Sequence, residues 1–225
     1  MSKSENDKKE FIPALGYHWL TDFYDLTISL TMPEKRFRQK LVQLLNPQTG
    51  EQILEFGYGT GQNLVMAYQR NTASRFIGLD IDPKVRSIAA RKLEAMNAPI
   101  DLDLYKGKAF PYEDNSFDKV FSSLVFHQLD GIAKQNALNE IFRVLKPGGT
   151  LLIGDWGKAK NQRMRWAFYI VQLLDGFATT NDNVNGLMPD FMMKAGFLAI
   201  DEPAFINTGI GTYSYYTATK EIREQ

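Results

Sequence analysis

The sequence predicts an α/β fold, a doubly wound and mostly parallel sheet with helices on both faces. Three observations carry that reading. Apolar runs near 51–56, 75–80, 100–105, 118–123 and 150–155 have strand length, and helix-compatible segments lie between most of them. The first run, Ile53-Leu-Glu-Phe56, ends in Gly57-Tyr58-Gly59-Thr60-Gly61. The second, Phe76-Ile-Gly-Leu-Asp80, ends in a carboxylate about twenty residues beyond Gly61.

The elements follow in order along residues 1–225, which read as one domain. Residues 1–10 are polar, lack the apolar centre of a signal peptide and are expected to be a disordered tail. Residues 11–46 are expected to form an N-terminal helical lid. Within them Thr31-Met-Pro-Glu34 is a capping-box pattern with proline in the first turn, followed by Leu41, Val42, Leu44 and Leu45. Residues 47–155 form the ligand-binding core. After its glycine turn, Asn63–Gln69 carries Leu64, Val65, Ala67 and Tyr68, compatible with a helix. Asp82-Pro83 reads as an N-cap with proline behind it. Leu138, Ile141, Phe142 and Leu145 give the helix near 131–145 its apolar face. Residues 156–225 supply cap helices, with Trp156, Trp166, Phe168 and Tyr169 in one of them. A polar loop is expected at 179–186, then a short helix from Pro189 to Ala195. Two strands, 197–207 and 211–220, close the chain.

Glycines at alternate positions bring bare backbone up to a ligand at a helix start. A dinucleotide turn of G-x-G-x-x-G type needs glycine at 62, where Gln62 stands. The spacing therefore points away from NAD and towards another adenosine-bearing ligand. Asp80 is placed to accept from both ribose hydroxyls, and Ile81 to lie against the adenine face. Lys+Arg and Asp+Glu both total 26, so no global charge draws the chain to nucleic acid or an anionic membrane. The absence of cysteine excludes disulfides and thiolate chemistry. No apolar run approaches membrane-spanning length, and the expected compartment is the cytosol.

Four segments carry a resemblance: ILEFGYGTG at 53–61, FIGLDIDP at 76–83, FPYEDNSFDKVFSSLVFHQL at 110–129 and EIFRVLKPGGTLLIGDW at 140–156. Together they resemble the class I S-adenosylmethionine-dependent methyltransferases, in the broad group that includes quinone-biosynthesis C-methyltransferases. The resemblance implies a Rossmann-like, seven-stranded sheet whose last strand is antiparallel. It also implies S-adenosylmethionine as cofactor, S-adenosylhomocysteine as product, and no metal. Cofactor contacts are expected from Glu55, Gly57, Tyr58, Gly59, Gly61, Asp80, Ile81, Gly107 and Ser123. Lys106 stands where family members often carry an aspartate for the adenine amino group; a lysine cannot accept that bond, which leaves recognition to backbone around Gly107.

Sulfonium methyl transfer asks the protein mainly to align the reactants and exclude water. His127, just beyond the fourth strand, is the candidate base if one is needed, with a structural or cofactor-packing role weighed more heavily. The aromatic segment Tyr17, Trp19, Phe23 and Tyr24 resembles the family's lid, with Tyr24 expected to face the cofactor. The leading reading is methyl transfer to an N, O or C nucleophile on a small molecule of apolar, aromatic or cationic character. A cofactor-binding regulatory or scaffold protein is the alternative. Nucleic-acid methylation is disfavoured, since Ser122-Ser-Leu-Val125 replaces an Asn/Asp-Pro-Pro-aromatic tetrad. The acceptor and the oligomeric state stay open.

Overall fold

Side-chain alternation along β1 (Gln52–Phe56) sends successive residues to opposite faces of the sheet. Ile53 packs towards Phe37 and Leu41 of α1 (Glu34–Leu45) and Leu64 of α2 (Gln62–Arg70). Leu54 and Phe56 pack into the opposite layer with Leu138 and Ile141 of α4 (Gly131–Val144). A computed structural model describes residues 33–221 of the 225-residue chain. β2 (Arg75–Asp80), α3 (Pro83–Glu94), β3 (Asp101–Leu104), β4 (Phe117–Ser123) and β5 (Leu145–Trp156) complete the alternating core. α5 (Gln162–Asp175), α6 (Phe177–Val184) and α7 (Met188–Lys194) follow, then β6 (Leu198–Asn207) and β7 (Thr212–Thr219).

The seven strands lie in the order β3-β2-β1-β4-β5-β7-β6. β1 to β5 are mutually parallel, and β7 inserts antiparallel between β5 and β6, as the resemblance implied. The strand order reverses between β1 and β4, and a ligand binds beyond the carboxyl ends of the strands at such a point. Both apolar layers are continuous: Trp156, Phe168 and Tyr213 join the α1–α2 side, whereas Met188, Met192 and Tyr216 join the α4 side.

Four sequence expectations are corrected. Trp156, expected in the first cap helix, instead ends β5, where it pairs with Tyr213 of β7. α1 begins at Glu34 with Pro33 at the N-cap and no side-chain cap bond. Pro33 thus precedes the first turn, and Thr31 lies outside the described residues. Residues 145–149 do not separate α4 from its strand; they belong to β5, whose ladder with β4 shifts register between Phe117 and Lys119 to absorb them. The polar stretch at 179–186 is largely helix, because its polar groups turn inward onto partners. Thr180 donates to Gly176 O at 2.6 Å, Gln172 donates to Asn181 at 3.0 Å, and Asn183 donates to Trp156 O at 3.0 Å. The expected tail, residues 11–32 of the expected lid and Tyr24 lie outside the described residues, whereas residues 34–45 of that lid form α1.

Candidate active site at the sheet reversal

Glu55 points to the same side as Ile53, into a fully buried position between β1 and α2. Asn63 Nδ2 donates to Glu55 Oε1 at 2.8 Å, and Arg38 Nη1 donates to Asn63 Oδ1 at 2.6 Å. Arg38 is in turn paired with Glu34 at 2.8 Å. Glu55 Oε2 has no partner among the described residues. Burial pushes the carboxyl up to about 8, against the lowering effect of Asn63 and Arg38. A buried carboxylate oxygen held open in this way suits an arriving ammonium group.

The turn after Glu55 needs left-handed backbone, with φ of 74° at Gly57 and 76° at Gly61. A side chain at Gly57 would also collide with the Val125 side chain. Gly59 N–H donates to Asp80 Oδ2 at 2.8 Å, while the N–H groups of Ile81 and Asp82 donate to Oδ1 at 2.7 and 3.0 Å. Asp80 therefore staples the tip of β2 to the glycine turn. Three of a carboxylate's roughly four lone-pair sites are used, which leaves about one for a ligand hydroxyl. Tyr58 is buried in the core, beside Leu64, and its hydroxyl has no partner among the described residues. Ile81 lies 3.5 Å from the point a side chain at Gly107 would occupy. These two expected adenine neighbours are thus adjacent, and Lys106 is exposed.

At the tip of β4, Ser123 Oγ and Tyr213 Oη share a 2.9 Å hydrogen bond. Leu124 then adopts φ 58°, an uncommon conformation for a branched side chain and a point of local strain. Asp155 holds this bend. Its Oδ2 accepts from the N–H groups of Val125 at 3.1 Å and His127 at 3.3 Å, and its Oδ1 lies 2.7 Å from His127 Nδ1. His127 is fully buried, with Nε2 3.7 Å from Asp175 Oδ2 at the end of α5. Burial alone would lower the imidazolium's pKa, but the charge and hydrogen bond of Asp155, with Asp175 beyond, hold it above the ordinary value. Lys134 extends the cluster, donating to Thr179 O at 2.6 Å and pairing with Asp182 at 3.1 Å. The bend, α4 and the cap helices α5 and α6 are thereby locked together.

An aromatic wall stands beside the Ser123–Tyr213 pair. Tyr213 lies 5.0 Å from Phe37, and Trp156 lies 5.5 Å from Phe168, centroid to centroid. The indole N–H of Trp156 is buried without a partner among the described residues. A separate cleft of about 500 Å³ runs between α3 and β3, lined by Pro83, Arg86, Leu102 and Leu104. Its lining offers no buried, unpartnered polar atom, so chemistry favours the strand tips over this hollow.

The structure brings Glu55, Gly57, Gly59, Gly61 and Asp80 into one turn, and sets Ile81 against Gly107. Sequence reasoning missed Asn63, Arg38 and Asp155. Asn63 had a weak signal, an amide in the first turn of the helix that follows the glycines. Asp155 ended a quoted strand, while Arg38 carried no local signal at all.

Comparison with known proteins identifies the family. A family model described as a methyltransferase domain matches residues 54–153. A demethylmenaquinone methyltransferase of Lactobacillus johnsonii is 31% identical, across 98% of this chain and 84% of that relative. One from Thermus thermophilus is 32% identical across 52% of this chain, which spans only 53% of its length. Among solved structures, the fold resembles Haemonchus contortus phosphoethanolamine N-methyltransferase 2 in complex with phosphomonomethylethanolamine and S-adenosylhomocysteine. The TM-score is 0.67 at 16% identity, covering 83% of this chain and 53% of that one.

Proposed function

We propose that this chain, which belongs to the class I S-adenosylmethionine-dependent methyltransferases, methylates a small molecule with an apolar, aromatic, quinone-like body. The observation that carries the site assignment is the unpartnered, buried Oε2 of Glu55 beside the glycine turn. Glu55 would hold the cofactor's ammonium, and Arg38 is the cation of the same cluster available to its carboxylate. Asp80 has one acceptor direction left for ribose, and Ile81 with the Gly107 backbone would border the adenine. Bound there, S-adenosylmethionine supplies a methyl group on a sulfonium whose departure leaves a neutral thioether.

The chain's own contribution is alignment and dryness. Trp156, Phe168, Tyr213 and Phe37 are fully buried and would back the acceptor site from the core rather than line it. The similarity to demethylmenaquinone methyltransferases supports a quinone-type ring as that acceptor. His127 is assigned a positioning role through Asp155: it fixes the strained bend at Leu124 that abuts Gly57.

Incubation with S-adenosylmethionine deuterated at its methyl group, together with a reduced demethylated quinone, tests the proposal. A deuteromethyl mass gain on the ring is expected. Tight binding of S-adenosylhomocysteine, with no labelled acceptor across quinols, phenols and amines, would favour the binding-protein reading instead.

A further inference from the structure

Helix α5 is apolar on two opposite sides. Phe168 and Val171 face the core, whereas Trp166 is 73% exposed, Leu173 75% and Ile170 49%. At 3.6 residues per turn, Trp166, Tyr169, Ile170 and Leu173 occupy an arc of roughly 100° opposite the buried residues. The stripe is continuous: Trp166 lies 5.7 Å from Tyr169, and Tyr169 lies 6.4 Å from Phe177 at the start of α6. Phe177 is itself 44% exposed.

Charge around the stripe has one sign. Between Asp155 and Asp175 the chain carries Lys158, Lys160, Arg163 and Arg165 and no acidic residue, although the whole protein is neutral. Lys160 is paired with Glu202 at 2.6 Å. Arg163 is exposed, and by helical periodicity it borders one side of the arc while Arg165 borders the other. The Arg165 guanidinium lies 4.3 Å from the centroid of the Tyr169 ring.

We infer that the outward face of α5, continued by Phe177, is a docking surface for an anionic lipid bilayer. Apolar side chains with a central tryptophan, flanked by arginines, match the interface between headgroups and acyl chains. A symmetric contact with a second copy would set Arg163 and Arg165 against their own equivalents, with no acid between Trp156 and Leu174 to offset them. The inner face of the same helix contributes Phe168 to the aromatic wall, so the bilayer would lie one helix away from the proposed acceptor site. The inference concerns the surface and holds whether or not the acceptor is a quinone.

Vesicle sedimentation of the full chain tests it, using phosphatidylcholine alone against phosphatidylcholine doped with phosphatidylglycerol. Binding to the doped vesicles only, weakening with salt, is expected. Trp166→Ser with Leu173→Ser should reduce it roughly tenfold or more, through lost apolar insertion. Arg163→Gln with Arg165→Gln should flatten its salt dependence. Unchanged thermal melts and unchanged S-adenosylhomocysteine affinity in both variants would show that fold and cofactor site persist. No vesicle binding by the full chain overturns the inference. If the serine variants then abolish a dimer seen by sedimentation velocity, the face joins two copies. If vesicles bind only after removal of residues 1–32, the chain's own N-terminus covers it.

Discussion

Burial pushes the Glu55 carboxyl up to about 8, from 4.5 in the unfolded chain, against the lowering effects of Asn63, Arg38 and the Leu64 backbone. The sign follows directly. The group favours the folded state fully below pH 4.5, and that contribution is lost as pH rises to about 8, because the unfolded chain releases its proton first. An incoming ammonium reverses the preference, so cofactor capture should release a proton at neutral pH. Titration calorimetry in buffers of different ionisation enthalpy should detect that release, and Glu55→Gln should abolish it. Zero release in the native protein would mean that Glu55 does not meet the ammonium. Asn63→Ala removes the carboxylate's side-chain donor and should weaken S-adenosylhomocysteine binding by about 1–3 kcal/mol. Asp80→Ala should lose ribose contact and also loosen the glycine turn, which hydrogen exchange at Gly59 would report. The turn's identity was legible because glycine spacing and a strand-end acid are local signals. The Arg38–Asn63–Glu55 relay was not, since it joins residues from two helices and a strand.

At the scale of elements, the segment around Arg143 explains why its motif is so recognisable. Arg143 donates to Tyr112 O at 2.8 Å, Phe110 O at 3.2 Å and Asp114 at 2.8 Å, while Glu140 accepts from Phe110 N–H at 2.6 Å. One helix end thus fastens the loop that leads into β4. Arg143→Ala should cost about 1–3 kcal/mol of stability in chemical denaturation, since carbonyls at 110 and 112 lose their donor. The cap helices depend on a second cluster. His127, held above its ordinary 6.5 mainly by Asp155, stabilises the fold below that value and ceases to do so as pH rises through its raised value. The stability gap between native protein and His127→Gln should therefore shrink as pH rises above 6.5. A gap independent of pH would show that folding leaves the ring at its ordinary value, against the pairing with Asp155. α6 escaped sequence reading for a related reason. Thr180, Asn181, Asp182 and Asn183 resemble a loop by composition, and only their inward partners make them a helix.

For the whole molecule, the seven-stranded sheet and its antiparallel β7 were legible through resemblance, whereas β5 itself runs longer than its apolar run suggested. The aromatic wall illustrates the limit. Phe37, Trp156, Phe168 and Tyr213 are spread along the chain and meet only because α1, α5 and β7 converge on one side of the sheet. Whether that convergence encloses the cofactor's reactive end can be read from a footprint. Hydrogen–deuterium exchange of the full chain, with and without S-adenosylhomocysteine, should show new protection at residues 56–63, 80–82, 105–108 and 123–127. Protection confined to the α3–β3 cleft around Arg86 and Leu102, or absent altogether, would contradict a cofactor site at the reversal of the sheet.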